Sequence, residues 1–248
     1  MLILSRRHRF TASHCARGPS VRKLRSPVNN RFVQSQRLEH PGPCAYRPLV
    51  PPFGESVPLV TESARLTLRR LTAADLDWVC ALDADPEVMR FISGGVPTPR
   101  ETIEQVYLPR MLRPCPDGPQ YGFHAATLRE SGLIVGWFHL RPERQEPFEM
   151  ELGYRLGREA WGQGLATEGS LALLRRAFQD WSLPSVVAHT LATNTASRRV
   201  MEKCGLRRER DFIAPAEWHP GWSEEQRRAV RYRIDAPDFF VRHPAATR

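Results

Sequence analysis

Leu152-Gly153-Tyr154-Arg155-Leu156-Gly157-Arg158-Glu159-Ala160-Trp161-Gly162-Gln163-Gly164-Leu165-Ala166-Thr167-Glu168 is the stretch on which the fold turns. Just before and into it, Phe148, Met150, Leu152 and Tyr154 alternate with Glu149, Glu151, Gly153 and Arg155, which predicts a strand over 148–156. Beyond it, Leu171, Leu174, Phe178 and Trp181 recur at helical spacing and predict a helix over 167–181. Between the two lies a turn with Gly162 and Gly164. Glycine lets backbone N–H groups face a ligand with no Cβ in the way. The helix start behind it adds unpaired N–H groups and partial positive charge. Together they suit an anion such as a pyrophosphate. The glycines alone are equally those of a tight turn, and neither GxGxxG nor the GK[ST] of a P-loop is present.

Further out, Arg65 to Arg69 alternates as a strand. Thr72 caps a helix carrying Leu76, Val79, Cys80 and Leu82, which Asp85-Pro86 breaks, leaving Glu87 to Phe91 as a further turn. Thr98-Pro99 starts a second helix with Ile103, Val106, Tyr107 and Met111. Strands are predicted over 121–128, 133–140, 185–191 and 229–234. A shorter helix over 194–204 ends at Gly205. Numbered in this order, 148–156 is the fourth strand and 185–191 the fifth. The order is α+β with a mixed sheet, not the alternation of a doubly wound fold.

The 248 residues are 41% hydrophobic and 25% charged, ordinary values for a globular protein. No apolar run approaches the roughly 18–20 residues of a membrane helix, so no membrane partner is expected. The net charge of +9 is unevenly placed. Residues 1–60 carry +8, and the remaining 188 carry +1. A basic field over the folded part is therefore not supported. Five cysteines, an odd number without CxxC spacing, suggest neither disulfides nor a metal site, and point to a reducing, cytoplasmic setting. Cys204 continues a helical apolar pattern and reads as core.

Residues 1–60 hold eight prolines and no sustained period, so they are expected to be a disordered basic leader, with the folded domain over 61–248. Three readings of the leader stay open: a start codon assigned too far upstream, a basic arm for ribosome or nucleic acid, or a targeting peptide. The second predicts salt-dependent RNA binding that truncation removes.

On three segments the chain resembles the GNAT superfamily of N-acetyltransferases, in the branch similar to the ribosomal-protein alanine N-acetyltransferases. Gly164 and Ala166 match the family's coenzyme-A signature (Q/R)xxGx(G/A), with Trp161 where Gln or Arg is expected. That branch commonly writes WGxGxATE there. Glu151-Leu152-Gly153-Tyr154 resembles its fourth strand, and Asn194 to Leu206 its NxxSxxVxEKxGF segment, with Leu206 for Phe. The resemblance spans roughly residues 62–240 and leaves the leader outside.

It implies a mostly antiparallel sheet splayed between strands four and five, helices on both faces, and acetyl-CoA in the cleft. Backbone groups from Leu152 through Tyr154 to Leu156 would hold the pantetheine and acetyl. Trp161, Gly162, Gln163, Gly164, Leu165, Ala166 and Thr167 would frame the pyrophosphate, and Asn194 would bond the pantetheine arm. The implied reaction is direct transfer of acetyl to a primary amine, a protein N-terminus or a small molecule, by a monomer or homodimer. The amine must be neutral, the oxyanion needs donors, and the leaving thiolate is a site for protonation. Glu151 and Glu217 are the two candidate bases, and Ser197 the candidate acid. The tyrosine many GNATs use as acid is replaced by Met201. His189 reads as a packed strand residue, and Glu168 as a complement to the helix dipole. An aminoglycoside-type acetyltransferase and a non-catalytic acyl-CoA-binding module are the alternatives. An acidic acceptor pocket drawn from Glu149, Glu217, Glu224 and Glu225 would favour a polycation.

Overall fold

The computed structural model describes residues 59–115, 117–118, 120–146 and 148–244. Residues 1–58 lie outside the described residues, and with them nearly all of the expected leader. The predicted strands appear as β2 (Leu66–Arg70), β3 (Gly122–Leu128), β4 (Ile134–Pro142), β5 (Met150–Leu156), β6 (Ser185–Leu191) and β8 (Arg228–Asp235). Two more, β1 (Leu59–Glu62) and β7 (Arg207–Ile213), complete the sheet of the described residues, in the order β1-β2-β3-β4-β5-β6-β8-β7. Every neighbouring pair is antiparallel except β5 and β6.

That parallel pair is short. Met150 faces Val186 and Glu151 faces Val187, and the ladder then stops although both strands continue. The sheet therefore opens from Leu152 and Ala188 onward, as the resemblance implied.

The alternation of β5 assigns its two faces. Met150, Leu152, Tyr154 and Leu156 lie on the side of α5 (Leu165–Gln179), packed in one core with Leu165, Leu173, Leu174 and Phe178. Glu151, Gly153 and Arg155 look to the other side. There Trp137 and Ala125 pack with residues of α1 (Leu76–Asp83) and α2 (Pro86–Ser93), with Ile103, and with Leu108 of α4 (Leu108–Leu112). Helices thus cover both faces. Arg155 reaches across to the buried Asp83, tying β5 to α1.

α5 lies close to the sheet at Gly169, where an added Cβ would run into the fully buried Phe138 ring of β4. Gly169→Ala is expected to lose about 1–3 kcal/mol by overpacking, outweighing the roughly 1 kcal/mol gained in helix propensity. A thermal unfolding midpoint at or above wild type would contradict this.

Several expectations need correction. Asp85-Pro86 starts a helix as well as ending one: Asp85 Oδ1 accepts the Glu87 N–H at 2.9 Å, and Pro86 takes the first position of α2. Pro99 is the cap, not the first residue, of α3 (Arg100–Thr102). Between α3 and α4 the turn widens over Ile103–Tyr107, with the Leu108 N–H donating to Ile103 O. Pro109 accounts for it, since its ring would clash with the carbonyl four residues back in a regular helix. Phe148 precedes β5 and is wholly exposed. α6 (Thr195–Lys203) and Cys204 follow the prediction, and burial pushes the Cys204 thiol up to about 12. α7 (Ala236–Arg242) was not anticipated; it drops Phe239 into the main core.

Candidate functional site

The turn after β5 is held by its own side chains. Trp161 Nε1 donates to Leu156 O at 2.9 Å, and Gln163 Nε2 to Glu159 O at 2.5 Å. Gly162 and Gly164 have φ of +72° and +79°, a region closed to most side chains. A Cβ at Gly162 would meet nothing, and one at Gly164 only Arg65 Nη2 at 3.8 Å. The space above both glycines is therefore open. α5 begins at Leu165, two residues earlier than predicted, so Leu165, Ala166 and Thr167 form its first turn with N–H groups lacking helical acceptors.

Glu168 does more than complement the dipole. Its carboxylate accepts from Ser63 Oγ, Arg65 N–H and Arg65 Nε, each at 2.7 Å, and Arg65 Nη2 also donates to Gln163 O at 3.0 Å. Partial burial would raise its pKa, but these bonds outweigh it and hold the carboxyl below its ordinary value. The glycine turn is thus pinned to the start of β2.

A cavity of about 420 Å³ opens over this turn. Tyr154 and Leu156 of β5 line it, as do Trp161, Gly162 and Gly164 of the turn and Leu165, Ala166 and Thr167 of α5. Asn194 and Ser197 close it from the α6 side. Four predicted site residues stay outside. Leu152 points into the core, Gln163 bonds within the turn, and Glu151 and Glu217 lie elsewhere. Sequence reasoning missed the wall supplied by α2 (Val88, Arg90, Phe91 and Ile92) and the cations Arg199 and Lys203 of α6. The last two make no ion pair among the described residues, and their i,i+4 spacing on one helix face was the available signal.

Asn194, which lines the cavity, caps α6: its Oδ1 accepts the Ser197 N–H at 3.1 Å, and its NH₂ group has no hydrogen-bond partner among the described residues. Tyr154 OH lies 3.0 Å from Ser197 Oγ and 3.1 Å from Ser197 O. Burial pushes the phenol upward, so it stays protonated.

Glu151 sits on the opposite face of β5, at the last rung before the opening. Arg141 pairs with it at 2.5 Å, and His189 Nδ1 lies 3.8 Å from its Oε1. Glu217, in the helical turn Ala216–Trp218, is exposed and has no hydrogen bond among the described residues. Its neighbour Trp218 stacks over His189 at 6.2 Å. Two of the four glutamates of the expected acidic pocket are ion-paired. Glu149 is paired with Arg231 and Arg233, and Glu225 with Arg228.

A sheet parted beside a glycine turn, with a row of N–H groups at a helix start and cations on the facing helix, is an arrangement suited to a phosphate-bearing ligand. Comparison with known proteins gives the family. A profile of the acetyltransferase (GNAT) domain matches residues 65–207. The FsC-acetyl coenzyme A-N(2)-transacetylase of Aspergillus fumigatus is 33% identical over 194 residues, 75% of this chain and 80% of that protein. The acetyltransferase (GNAT family) of Bacillus anthracis superposes with a TM-score of 0.60 at 25% identity, over 71% of this chain and 98% of its own. The spermidine N-acetyltransferase of Vibrio cholerae, solved with CoA and spermine, shares the fold with a TM-score of 0.57 at 16% identity, over 71% of this chain and 98% of its own. The chain belongs to the GNAT acetyltransferase family, whose members use acetyl-CoA as acyl donor. No helix among the described residues is long and apolar enough to cross a membrane.

Proposed function

We propose that this chain transfers acetyl from acetyl-CoA to a primary amine by direct attack within a ternary complex. One observation carries the reading: β5 borders the cavity with Tyr154 and Leu156 on one face and presents Glu151 on the other, at the rung where the sheet opens. The N–H row from Gly162 to Thr167 fits a pyrophosphate, with Arg90, Arg199 and Lys203 to complement further phosphate charge. Backbone N–H groups of β5 facing the opening suit the oxyanion. Bound there, the coenzyme supplies the activated thioester and a thiolate leaving group. The Tyr154–Ser197 hydroxyl pair, 3.0 Å apart and bordering the cavity, would protonate that thiolate. Glu151 draws the proton from the attacking amine, directly or through a bridging group. Glu217, exposed and off the cavity, is the weaker of the two candidates.

The acceptor is a protein N-terminus or a small amine. The N(2) in the Aspergillus relative's name favours a small amine, and the pairing of Glu149 and Glu225 argues against a polycation. A screen of acceptors that detects free coenzyme-A thiol tests the reading. Release above the acceptor-free rate with a primary amine supports it. Tight acetyl-CoA binding with no release for any amine would leave a binding module instead.

A further inference from the structure

β6 carries a histidine whose surroundings are those of a base. His189 lies two residues past Val187, the last residue of β6 paired with β5, on the face that also holds Glu151 and Gly153. Its ring stands edge-on to Phe212 at 5.4 Å and stacked on Trp218 at 6.2 Å. Nδ1 is buried without a hydrogen-bond partner and lies 3.8 Å from each of two carboxylate oxygens, Glu143 Oε1 and Glu151 Oε1. Glu143 is itself locked. Its Oε2 accepts the N–H groups of Gln145 at 2.8 Å and Glu146 at 2.5 Å, while its Oε1 is buried and unpartnered. Leaving a buried donor and a buried acceptor unmatched side by side is costly. An approach of about 0.6 Å or slightly more joins them. A proton on Nδ1 directed at Glu143 and Glu151 leaves the Nε2 lone pair free.

We propose that His189 Nε2 takes the proton from the attacking amine, with Glu143 and Glu151 holding its Nδ1–H. This rests on the acetyl-transfer reading and supplies its bridging group. The amine nitrogen forms the C–N bond as the carbonyl π pair moves to oxygen, and its N–H proton passes to Nε2. The oxyanion collapses, the C–S bond breaks, and the thiolate takes a proton from the Tyr154–Ser197 hydroxyl pair, which regains it from solvent. The two carboxylates stabilise the imidazolium until the proton is lost to solvent.

The charged groups around the ring oppose one another. Burial disfavours the imidazolium most. Glu151 and Glu143 favour it, and Arg231 of β8 and Arg141 of β4 oppose it, leaving the pKa below 6.5. His189 is then neutral at pH 7, as a base must be, and its contribution to the rate disappears as pH falls through that lowered value.

Two measurements on the full chain decide this. Long-range ¹H–¹⁵N spectra at neutral pH, with His189→Gln for assignment, should show His189 as the Nδ1–H tautomer, titrating below about 6.5. An Nε2–H tautomer would overturn the proposal whether or not an acceptor is known. Turnover is then followed with acetyl-CoA and the fastest of L-ornithine, spermidine, kanamycin and a peptide with an N-terminal alanine. His189→Gln should lose about 100-fold in kcat and its acid limb. Glu143→Gln, removing a carboxylate that raises the imidazole pKa, should move that limb to lower pH, which a merely structural glutamate would not do. If His189→Gln stays within about threefold of wild type and keeps its limb while Glu151→Gln collapses, the carboxylate acts directly. In that case the inference fails and the acetyl-transfer reading stands. No thiol release from any acceptor sinks that reading instead.

Discussion

Glu151→Gln is expected to lower kcat at least about 100-fold, and up to about 10⁴-fold, while acetyl-CoA affinity changes little. Glutamine keeps the size of the side chain and removes its charge and basicity. The loss follows whether Glu151 takes the amine proton itself or stabilises a protonated neighbour, because the negative charge is absent in either case. A 100-fold loss corresponds to about 2.7 kcal/mol of transition-state stabilisation. Arg141 loses its ionised partner in this variant but keeps a hydrogen bond to Pro142 O at 3.2 Å. Stability is therefore followed separately, since unpairing a partly buried cation destabilises the fold without touching the chemistry. Glu217→Gln, at an exposed residue without a hydrogen-bond partner among the described residues, should stay within about threefold of wild type. If the double variant also stays within threefold, no protein carboxylate assists, and catalysis rests on positioning and the oxyanion donors.

Gly164→Val should abolish coenzyme-A binding, weakening calorimetric affinity by about 100-fold or more, in a protein that still folds. At φ +79° a β-branched residue is strained by about 1–3 kcal/mol, which a domain of ordinary stability survives. Within the protein the new Cβ approaches only Arg65 Nη2. Its methyl groups must then project into the open space above the N–H row, where the pyrophosphate would lie. Gly132→Val is the matched control. Its φ is +71°, a Cβ there meets nothing, and it lies in the β3–β4 turn away from the cavity lining. The control should share the loss of stability and keep wild-type affinity. Unchanged affinity in a folded Gly164→Val protein would remove the anion site from this turn.

What could be read in the sequence was what local pattern controls. The alternation of β5, the glycines after it and the stripe of α5 are written in consecutive residues, and the cavity formed over them. β7 was missed for the same reason. Arg207 to Asp211 are all exposed, so no apolar period marks a strand that the pairing with β8 alone creates. Asp85-Pro86 was misread because a helix stop and a helix start use the same residues. His189 was read as packing, correctly for its ring and incompletely for its nitrogens. The carboxylates beside it come from β5 and from the end of β4, and nothing near His189 in the chain foretells them. Arg199 and Lys203 are plain in the sequence, but only the fold says which side of α6 meets the cavity.

The charged composition of β7 bears on how copies of this chain meet one another. β7 ends the sheet of the described residues, so its outer backbone N–H and C=O groups face no strand. Such an edge invites a second chain to add on and the sheet to grow. Here an approaching strand would have to strip water from Arg207, Arg208, Glu209, Arg210 and Asp211 in succession. It would also disturb the Arg208–Asp211 and Arg210–Glu146 ion pairs. Long charged side chains at an edge are a common guard against aggregation. The residues that concealed this strand from a hydrophobicity pattern are therefore the ones that keep it from acting as a seed for fibrils.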